Sequence, residues 1–127
     1  DDIILPSVEN PAAEFLSKFT KPRWGFSSKD VRELTEKDIC DKPNVIFYDA
    51  GHEYYQQYEN LKSVLKLLQD KFILVLDDAN FDGVVNSMND IIREENLNVL
   101  FSRIILTTEV EDEKSWWNGL YILVLEK

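Results

Sequence analysis

The sequence predicts a single α/β domain over residues 1–127, with a mostly parallel sheet that ends in an antiparallel hairpin. Three observations lead there. Apolar runs of strand character alternate with segments of helical period, the pattern of βαβ units with a parallel sheet. Phe72 to Leu76 is continuously apolar, which reads as a strand buried on both faces. Only a polar segment, Thr107 to Gly119, separates the last two strands, and a loop without helical period favours an antiparallel return.

Asn10-Pro11 opens the first element, since Asn suits a helix N-cap and Pro the first helical position. The helix expected over 11–19 carries Ala12, Phe15, Leu16 and Phe19 at i, i+3, i+4 and i+7, one apolar stripe. Lys21-Pro22 ends it, and Arg23 to Phe26 reads as a short strand. Val45 to Tyr48 is a strand running into the loop Asp49-Ala50-Gly51-His52. Tyr54, Tyr58, Leu61, Leu65 and Leu68 predict an amphipathic helix over 54–70. After Phe72 to Leu76 and Asp77-Asp78, a helix over about 82–95 presents Val84, Val85, Met88, Ile91 and Ile92 on one side. The strands Val99 to Leu106 and Leu120 to Leu125 complete the chain.

A hydrophobic content of 44% is enough for a sizeable core. The net charge of -10 repels phosphate backbones and anionic membrane surfaces, so neither nucleic acid nor membrane is an expected partner. A lone cysteine, Cys40, fits a reducing compartment, and no apolar run is long enough to span a bilayer, so the expectation is a cytoplasmic protein. The chain begins at Asp1 rather than a methionine, which suggests an upstream segment.

Ligands of open α/β sheets bind beyond the carboxyl ends of the strands. The first candidates are therefore Asp49, Gly51 and His52, then Asp77, Asp78 and Asn80, then Thr107 and Thr108. Asp49, Asp77 and Asp78 offer the hard oxygen ligands that suit Mg2+ or Ca2+, or else they cap the following helices. His52, the sole histidine, is a candidate general base because imidazole exchanges protons near neutral pH. Tyr54 and Tyr58 share the apolar stripe of their helix and read as core. Of Trp116 and Trp117, one is expected to anchor the final hairpin. The acidic run Glu109 to Glu113 reads as a solvated loop.

The segment from Phe47 through Asp49-Ala50-Gly51-His52-Glu53-Tyr54, followed by a helix and by Ile73 to Asp78, resembles the class I S-adenosylmethionine-dependent methyltransferases whose fourth strand ends in D-G-D-H-S-Y and whose fifth ends in D-D. Phe81-Asp82-Gly83-Val84 is similar to their W-x-G-V stretch, and Trp116 to Leu120 to the loop entering their last strand. The resemblance implies a Rossmann-like three-layer sandwich lacking its first βαβ portion, and methyl transfer to a small-molecule acceptor. It puts Asp49, Ala50, Gly51 and His52 at the methionine end of S-adenosylmethionine, and Ser28 or Asp30 near its adenine. It turns Asp77 and Asp78 toward the acceptor, and some relatives hold Mg2+ through carboxylates at these strand ends, which here are Asp49, Asp77 and Asp78.

The glycines, at 25, 51, 83 and 119, form no G-x-G-x-G loop, and Ala50-Gly51 stands where the family has Gly-Asp. Two readings therefore stay open. One is a methyltransferase completed by an upstream segment, and the other is a non-catalytic, degenerate interaction or structural module. A phosphoacceptor receiver domain fits less well, because its acceptor aspartate lies between the acidic-pair and threonine strands, whereas Asp49 precedes both. In the family's order the strand ending at Asp49 borders the missing first strand. Its free edge is expected to pair with the missing N-terminal segment, another chain or a second copy.

Overall fold

The computed structural model describes residues 29–39, 41–107 and 116–127. The helix expected over 11–19, the strand at Arg23 to Phe26, and Ser28, Cys40, Thr108 and Glu109 to Glu113 lie outside the described residues. After a 3₁₀ turn at Val31–Glu33, the order is β1 (Val45–Tyr48), α1 (Tyr54–Leu65), β2 (Lys71–Asp77), α2 (Asp82–Glu94), β3 (Asn98–Ile105) and β4 (Leu120–Glu126). Helix α1 stops short of the predicted residue 70 because the chain tightens into a final turn, with the Leu67 and Leu68 amides donating to the Val64 and Leu65 carbonyls.

The four strands form one mixed sheet in the order β1-β2-β4-β3. β1 and β2 are parallel, and β3 and β4 form the predicted antiparallel hairpin. The hairpin folds inward, so β4 is also antiparallel to β2. The α2 crossover thus carries the chain two strand positions along, and the returning strand fills the gap. Among the described residues β1 is an edge strand, as is β3.

Both helices pack on one face of the sheet. Phe72, Leu74 and Leu76 of β2 and Tyr121, Leu123 and Leu125 of β4 meet Leu61, Val64 and Leu65 of α1 and Val84, Met88 and Ile91 of α2 in one buried cluster. The helices are joined by Gln57, which is buried and donates from Nε2 to the Val84 carbonyl and to Ser87 Oγ. The hydroxyls of Tyr54 and Tyr58 reach the carboxylates of Asp90 and Glu94. These tyrosines therefore join α1 to α2, and Tyr58 also lines a groove beside the C-terminal ends of the helices.

The other face is open among the described residues. This corrects the reading of Phe72 to Leu76 as buried on both sides, because burial alternates along β2 and Ile73 is 39% exposed. The described elements form two layers, helices on sheet. No helix among them is long and apolar enough to cross a membrane.

Candidate functional site at the strand ends

Because β1 and β2 are parallel neighbours, with Tyr48 beside Leu76, their carboxyl ends finish side by side. Asp49 and Ala50 follow β1 on an exposed rim. The loop then passes tightly against the start of α2. A Cβ on Gly83 would come within 3.0 Å of the His52 carbonyl oxygen and 3.1 Å of the Tyr54 amide nitrogen, so that close approach calls for glycine. The loop so fixed lays the His52 ring on Phe81, with centroids 4.6 Å apart and planes 17° from parallel. His52 Nδ1 is 3.7 Å from Asp78 Oδ2, with the histidine side chain about half exposed.

Asp78 sits in the left-handed region at φ 61°, a conformation that costs a non-glycine residue energy and persists where its surroundings hold it. The surroundings here are specific. Asn118 Nδ2 donates to Asp78 Oδ1 at 3.0 Å, while Asp77 Oδ1 accepts from Trp116 Nε1 at 2.9 Å and from the Asp78 amide at 2.9 Å. Asn118 is itself left-handed at φ 57°, and its Oδ1 is buried without a partner among the described residues. Trp116 also meets Phe47 edge-on, with centroids 6.3 Å apart.

A second clamp lies beneath. Asn80 Nδ2 donates to Thr107 Oγ1 at 2.7 Å, the Thr107 amide donates to Asn80 Oδ1 at 3.1 Å, and the Asn80 amide donates to the Asn118 carbonyl at 2.7 Å. Loops following β1, β2 and β3 and the loop entering β4 are thereby tied together at one end of the sheet.

Of the residues selected from sequence, the fold brings together His52 and Asp78, while the Asp77 carboxylate turns to Trp116 and Asp49 stays on the exposed rim. Neither helix takes its cap from these carboxylates, since the N-cap residues are Glu53 and Phe81 and neither makes a side-chain cap bond. Asp30 heads the 3₁₀ turn, where Arg32 holds its carboxyl well below the usual carboxylate range through a side-chain hydrogen bond. Trp116 and Trp117 are both about half exposed, so neither is the buried anchor expected of one of them, and the sequence carries little sign that Asn118 partners Asp78. The only local signal was the Asn118-Gly119 pair, a turn dipeptide.

Among the described residues no group of three or more His, Cys, Asp or Glu could hold a metal ion. Asp77 and Asp78 already accept hydrogen bonds from Trp116 and Asn118. At the opposite end of the helices a groove of about 570 Å³ is lined by Lys62, Lys66, Glu95 and Lys127 among others. Its cations are largely satisfied within the protein, since Lys62 pairs with Glu94 and Glu95, and Lys127 Nζ donates to the Leu68 carbonyl. Comparison with protein-family models, curated proteins and solved structures gives no significant match to this chain.

Proposed function

We propose that this chain is the acceptor-side part of an S-adenosylmethionine-dependent methyltransferase acting on a small molecule. The observation that carries the reading is the His52–Asp78–Asn118 arrangement at the carboxyl ends of a parallel strand pair. The class I resemblance of the same loops adds to it, as does a mixed sheet that pairs β1 and β2 in parallel and ends in an antiparallel hairpin. The donor set suits the cofactor's charge, because Asp49, Asp77 and Asp78 make an acidic rim for a sulfonium cation.

When bound, S-adenosylmethionine supplies an electrophilic methyl group whose bond to sulfur breaks as the bond to the acceptor oxygen forms. The chain's own residues handle the proton. The stack on Phe81 holds the His52 ring with Asp78 Oδ2 3.7 Å from Nδ1, and in this reading Nε2 takes the acceptor hydroxyl proton. The backbone of Asp49, Ala50 and Gly51 would hold the methionine end of the cofactor, and Asp77, fixed by Trp116, would border the acceptor.

Calorimetry of the full-length gene product tests this proposal. It predicts measurable heat with S-adenosylmethionine or its demethylated product, and methyl transfer lowered by about 10²-fold or more in His52→Ala, the usual contribution of a general base. Absence of heat with either compound ends the enzymatic reading. One observation favours the alternative of a non-catalytic interaction module: Asp77 and Asp78 are engaged by Trp116 and Asn118 rather than left free.

A further inference from the structure

Strand β3 lies at one end of the sheet order, and its outer side carries few of the devices that keep sheet edges apart. Edge strands are usually blunted by short length, lysine or proline, because a row of unpaired amides and carbonyls templates another strand. β3 runs for eight residues, Asn98–Ile105, against four for β1. It holds no proline and no carboxylate, and its one charged side chain, Arg103, makes no ion pair among the described residues. Leu100, Phe101 and Ile104 are 45%, 49% and 44% exposed. The ladder to β4 is irregular only between Val99 and Phe101, near the amino-terminal end. From the pairing with β4, Phe101 and Arg103 stand on the open face of the sheet, and Ser102 and Ile104 on the face that carries the helices.

We infer that β3 pairs antiparallel with β3 of a second copy, about a two-fold axis at Ser102, joining two four-stranded sheets into one. Side-chain alternation selects that register. Residues opposite each other across an antiparallel pair share a face, so the axis passes at a residue and not between two. With the axis at Ser102, Phe101 of each copy lies opposite Arg103 of the other on the open face, which sets a guanidinium beside an aromatic ring at two places. On the helix side the two Ser102 hydroxyls meet, and Ile104 comes beside Leu100 of the second copy. An axis at Arg103 would set the two guanidiniums against each other, which like-charge repulsion disfavours. An axis at Phe101 would run the pairing through the irregular segment at Val99. Charge points the same way. The chain has a net charge of -10, yet this edge is free of carboxylates, so two acidic copies meet where neither presents its negative surface. The pairing does not depend on the methyl-transfer reading.

Cross-linking and sedimentation of the full chain test it. For cross-linking, the single native cysteine is removed as Cys40→Ser. In Ser102→Cys the two thiols lie opposite each other at the axis, whereas in Leu106→Cys, at an exposed position, they lie about 27 Å apart, eight residues of strand. Mild oxidation or a short bismaleimide is expected to link Ser102→Cys between chains at least about tenfold faster than Leu106→Cys, because only the former pair is held together. Equal rates overturn the inference. In sedimentation velocity the unaltered chain is expected to move from monomer to dimer as its concentration rises. Phe101→Lys sets a lysine against Arg103 of the second copy and is expected to stay monomeric. Adding Arg103→Glu turns both repulsions into ion pairs and is expected to restore the dimer, which separates loss of pairing from loss of the fold. An unaltered chain that is monomeric at every concentration, a dimer that Phe101→Lys leaves unchanged, or a double variant that stays monomeric overturns the inference. None of these outcomes bears on cofactor binding, which calorimetry reads separately.

Discussion

The two faces of the sheet are built from the same strands and differ in what lies over them. On one, Phe72, Leu74, Leu76, Leu123 and Leu125 are sealed beneath α1 and α2, and Gln57 and the tyrosine–carboxylate pairs join the helices above. On the other, Val45, Phe47, Ile73 and Phe101 are as apolar but are exposed among the described residues. The difference teaches that hydrophobic character alone does not define a core. A strand acquires a buried side only when another element supplies the opposing atoms.

The largest expected contrast comes from neighbouring residues of β2. Leu74→Ala removes a side chain only 1% exposed and is expected to cost about 3 kcal/mol in urea unfolding. Ile73→Ala, on the other face, is expected to cost about 1 to 2 kcal/mol, because part of its surface already meets water. Equal losses would erase the distinction between the faces.

A smaller effect tests the rim of the covering layer. The Asp90 carboxylate accepts from the Tyr54 hydroxyl and pushes the phenol up to about 12 from 10.0. The unfolded chain's tyrosine ionises first, so the contribution is complete below about 10 and is lost as pH climbs toward about 12. Urea midpoints followed across that range are expected to fall less steeply in Tyr54→Phe than in the unaltered chain. Parallel profiles would remove Tyr54 from the account of how α1 is held to α2.

Local features of the sequence carried the element order. The spacing of Val84, Met88 and Ile91 located α2 and its buried side, and Asp49-Ala50-Gly51-His52 located the loop that brings His52 to Asp78. The Phe72-to-Leu76 run misled because a strand apolar on both sides looks the same whether both faces are covered or one is open. The inward position of β4 was invisible for a different reason, since it depends on how far α2 carries the chain. The same holds for the contacts of Asp78 with Asn118 and of Asp77 with Trp116, which join residues about 40 positions apart through a fold not yet formed in the linear text. The sequence did mark both faces of the sheet as apolar, although nothing local told which of them the helices would cover.

The central claim is that α1 and α2 together seal one face of the sheet, while the other is open among the described residues. A double-mutant cycle with Gln57→Ala and Ser87→Ala, read as unfolding free energies, tests the junction between the two helices most directly. The hydrogen bond between the two side chains predicts a coupling of about 1 kcal/mol, whereas additivity within about 0.3 kcal/mol would contradict the account.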